Sequence, residues 1–265
     1  MRALVNEGTG HAQRSAISRM RALSLMVAAW VLSAHRPAAA DGVQADFEAG
    51  VAAASRNDVR IPGAGGSALS LVDDLSASPT PVFRLRVGYR FAERHLITAL
   101  YAPLRLNATG VLARDVSFAG RTYPAGGSLL GVYRFDSYRL TYRYSFVRDE
   151  TIEISAGVTG KVRDAEISLY GPQSARKTNT GFVPLLNVHI EWRPGGGSFG
   201  VVLDADALAA PQGRAEDILL AATWAASEAI VLRIGYRTLE GGADNDEVYN
   251  FTWLHYAVSG VELRF

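Results

Sequence analysis

The carboxyl-terminal segment of the chain alternates between two kinds of residue at every second position. One set, read backwards, is Phe265, Leu263, Val261, Ser259, Ala257, His255, Trp253, Phe251 and Tyr249. The set between them is more polar and includes Arg264, Glu262 and Gly260. Because successive side chains of a β-strand point to opposite faces, the segment predicts one long strand over 247–265 with an aromatic and aliphatic face. Such a strand needs neighbours to satisfy its backbone, so the fold is expected to be built from sheets.

The same alternation recurs along the rest of the chain. Phe83, Leu85 and Val87 alternate with Arg84 and Arg86, and similar runs follow up to the last strand. After residue 40, no apolar run reaches the about 20 residues that a membrane-spanning helix needs. We predict ten strands, at 43–55, 81–91, 96–107, 130–146, 152–165, 181–193, 198–208, 217–225, 229–239 and 247–265.

The predicted connections between these strands alternate between short and long. The short ones are 92–95, 147–151, 194–197 and 225–229. The long ones are 56–80, 109–128, 166–180, 209–216 and 240–246. Short turns at one end and longer loops at the other are typical of an antiparallel membrane barrel. An even number of strands places both ends of the sheet on the short-turn side.

The first 40 residues have the pattern of a secretory signal peptide. Arg14, Arg19 and Arg21 precede an apolar run at 22–32, and the segment ends in the cleavage pattern 38–40. The apolar run is shorter than the about 18 residues expected of a membrane helix. We therefore expect export, with cleavage near Ala40 and one barrel domain over 41–265. Residues 1–19 are expected to be an upstream extension, since the Met-Arg pair at 20–21 would itself start an ordinary signal peptide.

The end of the chain resembles a known assembly signal. The pattern Gly-x-x-Φ-x-Φ, met here by Gly260, Leu263 and Phe265, is similar to the carboxyl-terminal signal of bacterial outer-membrane β-barrels, although Val258 stands where that pattern favours a polar residue. With the signal peptide, the chain resembles Gram-negative outer-membrane β-barrel proteins over nearly all of 41–265. The resemblance implies an all-β, antiparallel transmembrane barrel in the outer membrane. It also implies contact with outer-membrane lipid and lipopolysaccharide, and assembly by the barrel assembly machinery through the last strand.

In a membrane barrel the apolar face is turned to lipid and the polar face lines the lumen. A ten-strand bore is little wider than one filled by side chains. Charges in such a space are costly unless they are paired, so we predict a network across the lumen. Its predicted members are Arg84, Arg86, Arg139, Arg143, Glu153, Lys161, His189, Glu191, Asp204, Asp206 and Arg233, with Asp46, Glu48, Arg90 and Arg163 sharing the space. His189 is expected diagonally near Asp204. The leading hypothesis is a non-enzymatic barrel with a plugged or narrow lumen, porin-like only in fold, that acts through its external loops or passes small solutes.

Two enzyme classes remain as alternatives. An outer-leaflet enzyme acting on lipid A or phospholipid would use an outward-facing histidine, and His255 lies beside Trp253 on the predicted outer face. The His-x-Ser spacing of lipid A deacylases is missing there, since Ala257 stands at that position. An omptin-type protease would use carboxylate pairs, for which 204–206 and 73–74 are candidates, but no Asp-x-His follows residue 40. A soluble exported β-sandwich, with its apolar face inward, is the third hypothesis.

The composition of the chain excludes several kinds of site and partner. The chain has no cysteine, which excludes disulfides, thiolate metal sites and cysteine nucleophiles. Loss of the first 40 residues removes five arginines and one glutamate and changes the net charge from +1 to −3. No basic patch with interleaved aromatic residues is present, so nucleic acid is not an expected partner. No catalytic, cofactor or metal motif is recognisable, and we expect no cofactor.

Some positions predict local irregularity. Tyr133 and Phe135 are out of phase with Tyr138, which predicts a β-bulge near 136–137. Leu219 and Ala221 are expected to face the lumen. Phe91 and Leu96 are expected to face outward on either side of a turn that contains His95. Pro103 and Pro184 are expected to interrupt their strands locally, and a small external hairpin is expected within 116–123.

Overall fold

The computed structural model describes residues 41–210 and 213–265. The predicted signal peptide and its cleavage site therefore lie outside the described residues. The strands are β1 (Gly42–Arg60), β2 (Leu69–Ser70), β3 (Ser76–Ala77), β4 (Thr80–Phe91), β5 (His95–Ala102), β6 (Arg105–Val111), β7 (Val116–Phe118), β8 (Arg121–Tyr123), β9 (Ser128–Arg148), β10 (Ile152–Tyr170), β11 (Ser174–Trp192), β12 (Phe199–Ala210), β13 (Gly213–Ala225), β14 (Ile230–Asp244) and β15 (Tyr249–Arg264). A short 3-10 turn occupies Pro194–Gly196. In this part of the chain, no helix has the length and apolarity needed to cross a membrane.

The long strands close into one antiparallel barrel. Each pairs with the next along the chain, and β15 returns to pair with β1 from Gln44 opposite Arg264 to Arg60 opposite Tyr249. β5 and β6 pair with β9 one after the other and together form a single barrel strand that is interrupted at Pro103. The barrel therefore has ten strands, and the predicted all-β barrel is confirmed. Many buried charged side chains line its interior while many large apolar ones are exposed on its outside, the reverse of a soluble β-sandwich.

One end of the barrel, called here the turn side, carries the short connections that follow β4, β9, β11 and β13. The other end, the loop side, carries the connections that follow β1 and β6. Three of the five predicted long loops are wrong: β10 and β11 stay paired up to Tyr170 opposite Ser174, β12 and β13 up to Ala210 opposite Gly213, and β14 and β15 up to Asp244 opposite Tyr249. The sequence hid these extensions because their outer faces carry polar side chains, such as the Arg214–Glu240 pair, and the alternation fades. Only 61–79 and 112–127 are long loops among the described residues.

The turn between β4 and β5 is one residue shorter than predicted, and this exchanges the inward and outward faces of β5. Phe91 lies opposite His95, so the turn holds only 92–94, and Ala92 and Glu93 adopt positive φ angles of 45° and 62°. Leu96 is consequently inside, with 3% of its surface exposed, and the prediction that it faces outward is wrong. Shifting a strand by one position exchanges its two faces. His95, expected in the turn, is the first residue of β5 and stacks on Phe91 on the outer face, with ring centroids 5.1 Å apart.

The bulge predicted near 136–137 is absent. β9 pairs with β10 through Arg163–Ser137 and Asp164–Asp136 without a shift. Tyr133 therefore points inward, because the lumen itself changes from charged to apolar at that height. The register shifts instead between Ala54 and Arg56 in β1, and between Ile154 and Ser155 in β10.

The apolar part of the lumen lies at the loop side. There the 61–79 loop and the β7–β8 hairpin, which was predicted within 116–123, pack on inward-facing residues of the strands. The cluster contains Leu69, Leu71, Leu75, Val116, Phe118 and Tyr123 from the loops with Val59, Leu106, Tyr133, Ile167 and Leu169 from the strands. Gly131 is required for this packing, since a Cβ there would lie 2.9 Å from Leu71. We call this cluster the apolar plug.

Two further expectations concern β11 and β13. Pro184 lies within β11 opposite Gly160, and among the described residues β11 pairs with β12 only from Leu186 onward. Proline has no N–H to donate to a ladder, which agrees with pairing that begins beyond it. Leu219 and Ala221 face the interior, as predicted, and are 3% exposed each.

Candidate functional site

The middle of the lumen is crossed by buried ion pairs centred on Asp217. Its carboxylate accepts hydrogen bonds from Arg84 at 3.0 Å, Arg139 at 2.6 Å and Arg237 at 2.6 Å. Arg237 also donates to Glu48 at 2.8 Å. These residues belong to β1, β4, β9, β13 and β14, so the contacts join opposite walls of the barrel. All five side chains are almost fully buried.

A second group of ion pairs is centred on Asp204 and Asp206 of β12. Asp204 accepts from Arg86 at 2.8 Å and from Arg143 at 3.0 Å. Asp206 accepts from Arg139 at 2.7 Å, and this arginine joins the group to Asp217. The side-chain amide of Asn187 lies between the two aspartates and donates to both.

Toward the turn side the network continues with glutamates. Glu153 accepts from Arg90 at 3.1 Å, and Glu191 pairs with Arg193 at 2.6 Å. Arg233 donates from Nη2 to Asp46 at 2.8 Å. These pairs, the Asp217 group and the Asp204–Asp206 group together form what we call the lumen network.

The structure places all eleven predicted network residues on the inner face of the barrel. Nine of them lie within 4.0 Å of an opposite charge. The other two are Lys161, whose Nζ lies 4.7 Å from the ring centroid of Phe135, and His189, which lies opposite Asp204 in the register rather than diagonal to it. The Nδ1 atom of His189 is buried without a hydrogen-bond partner.

Sequence reasoning missed Asp217 and Arg237 as members of the network. Asp217 is the first residue of the predicted strand 217–225 and was not assigned to the network, although it shares its facing with Leu219. Arg237 follows Arg233 by four residues in one alternating run and therefore faces the same side. The period-two rule could have found both residues.

The outer face carries an apolar band between two polar borders. On β9 the outward positions from Tyr138 to Phe146 are aromatic or aliphatic, a span of about 26 Å along the strand at about 3.3 Å per residue. At the turn side, aromatic residues border the band, among them Trp224 stacked on Phe199 with centroids 6.4 Å apart. At the loop side it ends in outward ion pairs, namely Arg56–Asp58, Arg134–Asp136, Arg134–Asp164 and Arg214–Glu240.

A serine, a histidine and a tyrosine meet on the outer face at this loop-side border. The Nε2 atom of His255 lies 2.7 Å from the Oγ atom of Ser55. Its Nδ1 atom is hydrogen-bonded to the hydroxyl of Tyr236, and its ring lies 5.1 Å from that of Trp253. We call Ser55, Tyr236 and His255 the outer-face cluster.

The cluster lies at the bulge in β1. Before the bulge the even-numbered residues of β1 face inward, as Glu48 does, and after it the odd-numbered ones do, as Asn57 does. Ser55 is the extra residue, and it turns outward beside Arg56. The His-x-Ser spacing would place a serine on the strand of His255, whereas the structure supplies one from the neighbouring strand β1.

In the terminal segment, a side chain at Gly260 would displace the guanidinium of Arg233. Gly260 faces the lumen, and a Cβ at this position would lie 2.8 Å from the guanidinium atoms of Arg233. Leu263 lies opposite Ala45 and Ile230 in the ladders of β15, which ends at Arg264. The predicted assembly role of Gly260, Leu263 and Phe265 stays a prediction.

Comparison with known proteins identifies the fold. No protein-family model and no curated protein sequence matches the chain. Among solved structures, the outer membrane protease OmpT from Escherichia coli is similar to it at a TM-score of 0.54 and 9% sequence identity, over 84% of this chain and 97% of that chain. The chain has the outer-membrane β-barrel fold. Ail of Yersinia pestis (TM-score 0.38, 12% identity, 84% of this chain and 99% of that chain) and OprG from Pseudomonas aeruginosa (0.38, 10%, 87% and 99%) are more distant matches.

At such low identity the similarity concerns the fold alone. The carboxylates considered for a protease site are engaged in other contacts. Asp204 and Asp206 are held by lumen arginines, and Asp74 accepts hydrogen bonds from Arg114 at 3.1 Å and from the backbone N–H of Ser70 at 2.9 Å.

Proposed function

We propose that this protein is an integral outer-membrane barrel whose bore is closed by its own side chains and which acts through its outer and loop-side surfaces. The signal-peptide pattern of residues 1–40 supports export. The outward apolar band, with aromatic residues at one border and charges at the other, supports placement in a bilayer. Lipid and lipopolysaccharide of the outer membrane are then its immediate partners. The last strand is the segment that the assembly machinery would bind.

The observation that carries the closed bore is the set of contacts around Asp217. Three arginines from β4, β9 and β14 converge on this one carboxylate, and the side chains of Asp217 and Arg139 are only 2% and 1% exposed. Side chains that meet across the barrel leave no continuous path for solutes. The apolar plug is a second barrier on the loop side, since its loop residues are almost completely buried.

This arrangement does not favour a diffusion porin. A wide pore would need the inward arginines and carboxylates to line opposite walls without meeting. Here they are hydrogen-bonded at 2.6–3.0 Å, and buried pairs of this kind are screened by salt much less than exposed ones.

Conductance tests the proposal directly. The purified protein should first show heat-modifiable migration on a gel, as a closed barrel in detergent does. In planar bilayers it should then give no conductance or only small, flickering events, and raising the salt concentration should not open it. A steady, large conductance from the unmodified, heat-modifiable protein would overturn the closed bore and make a diffusion porin the better explanation.

A further inference from the structure

We infer that the outer-face cluster is a hydrolase site, in which Ser55 attacks a carboxylic ester of an outer-leaflet lipid and His255 accepts the proton of its hydroxyl. The inference rests on the proposed membrane placement and adds an activity to it. The nucleophile, the base and the residue that orients the base come from three adjacent strands, β1, β15 and β14.

The contacts match the requirements of a nucleophile and its base. Ser55 Oγ and His255 Nε2 are 2.7 Å apart, within the range that activates a serine hydroxyl. The Nδ1 atom of His255 is hydrogen-bonded to Tyr236. In the tautomer in which Nδ1–H donates to the Tyr236 hydroxyl, Nε2 is left as the acceptor for the serine proton. Tyr236 is therefore a positioning residue.

The position of the cluster on the barrel matches the position of ester bonds in a lipid. Val51, four residues below Ser55 on the same face, is 51% exposed within the apolar band. Arg56 and Asp58 begin the charged border directly above it. In a bilayer, this border separates the hydrocarbon core from the headgroups. The ester bonds of acyl lipids lie at that depth.

Neighbouring cations suit an anionic lipid. Arg56 lies over the ring of Phe251 at 5.5 Å, and Arg60 lies over that of Tyr249 at 5.0 Å, both on the outer face above Ser55. Guanidinium groups bind phosphate well, and the aromatic rings hold them at the interface. Because Arg56 is already paired with Asp58 at 2.6 Å, Arg60 is the guanidinium that would contact the phosphate. Phospholipids and lipopolysaccharide share this chemistry, a carboxylic ester close to a phosphate.

The reaction balances with water as the only co-reactant. The Ser55 oxygen bonds to the ester carbonyl carbon while its proton moves to His255 Nε2. The ester C–O bond breaks, and the leaving alcohol takes that proton. Water, deprotonated by His255, then attacks the acyl-serine, releases the fatty acid and returns the proton to Ser55.

An interfacial aromatic border alone does not account for the cluster. His95 has that role at the turn side, where its Nδ1 lies 2.8 Å from the Tyr142 hydroxyl and its ring contacts Phe91 and Tyr144. His255 has in addition a serine, which lies at a β-bulge and whose Oγ is 2.7 Å from its Nε2. Bulges re-aim side chains and occur more often than expected beside active sites.

The first test is covalent labelling of the full-length barrel in detergent. A fluorophosphonate should label Ser55, as located by peptide mass spectrometry. Ser55→Ala should abolish labelling, and His255→Gln should slow it by about 100-fold or more, the usual contribution of a general base. Ser259→Ala, at another exposed outer-face serine, and His95→Gln are the matched controls and should label like the unmodified protein. Heat-modifiable migration verifies that each variant is folded.

Tyr236 has a separate readout. Tyr236→Phe should slow labelling and change its pH profile, because the tautomer and basicity of the imidazole depend on this hydroxyl. A merely structural tyrosine would leave the profile of the folded variant unchanged, and that result would remove Tyr236 from the site.

The second test measures fatty acid release by the reconstituted barrel. One arm uses vesicles of phosphatidylethanolamine and phosphatidylglycerol, and the other uses vesicles containing lipopolysaccharide. Release in either arm that is lost in Ser55→Ala and kept in Ser259→Ala supports the site and identifies the lipid. A folded barrel that neither labels nor releases fatty acid, or whose release survives Ser55→Ala, overturns the inference. Flotation of the vesicles reports membrane insertion separately, so failure of the membrane placement is distinguishable from failure of the site.

Discussion

Replacing Asp217 by asparagine should destabilise the barrel more than any similar change at its surface. The substitution keeps the size of the side chain and removes the charge that Arg84, Arg139 and Arg237 share. Breaking a buried ion pair by removal of one partner costs about 3–5 kcal/mol. Each arginine keeps a second carboxylate, since Arg139 retains Asp206 and the other two retain Glu48. We therefore expect a loss at the low end, about 3 kcal/mol.

The assay is equilibrium unfolding by guanidinium chloride in lipid vesicles, followed by the fluorescence of the barrel tryptophans. Asp164→Asn is the control, because Asp164 pairs with Arg134 on the outer face with 38% of its side chain exposed, and exposed pairs contribute about 0–1 kcal/mol. The midpoint should fall clearly for Asp217→Asn and little for the control. If the two variants lose the same free energy of unfolding, the lumen network contributes no more to barrel stability than an exposed ion pair.

Three further predictions concern assembly, facing and conductance. Deleting Phe265, or replacing it by a charged residue, should reduce the amount of barrel in the outer membrane while export to the periplasm continues, and normal outer-membrane levels would show that the last strand is no assembly signal. Leu140→Arg, at an outward side chain with 61% exposure, should cost about 2–4 kcal/mol of unfolding free energy in vesicles, and a variant as stable as the parent would contradict the outward facing of this band. The double substitution of Arg143 and Arg233 by alanine leaves the contacts around Asp217 and the apolar plug in place, so its bilayer conductance should stay as low as that of Arg214→Ala on the outer face; a raised conductance of the double variant would place the barrier on the turn side of the lumen.

The alternation of residue types was sufficient to predict the strands and most of their facings. It places Tyr138, Leu140 and Tyr142 on one face and Arg139 on the other without any knowledge of neighbours, because the period of a strand is set by the backbone alone. The rule failed where a single residue changed the phase. The three-residue turn before His95 and the bulge at Ser55 each exchange the two faces, and neither has a glycine or proline to mark it in the sequence.

The strand ends were less predictable for a related reason. Beyond the apolar band the outer faces of β10, β11, β13 and β14 carry polar residues, and on β10 the contrast is inverted because Ile167 and Leu169 face inward. The outward apolar pattern therefore ends while the hydrogen bonds continue. Tyr133 faces inward without any bulge. Its phase predicts a bulge only if the lumen is polar throughout, and the sequence does not show that the 61–79 loop fills the lumen with leucines at that height.

The sequence by itself determined the class of fold, the inward placement of the charges and the chemistry available to them, since these follow from local periodicity and composition. Only the tertiary structure decided which charges meet. Arg84 and Asp217 lie 133 residues apart, and Ser55 and His255 lie 200 apart. Their contacts exist because closure of the barrel pairs β1 with β15 in one register and brings β4 and β9 opposite β13. That register is a property of the whole sheet, and no single segment of the chain contains it.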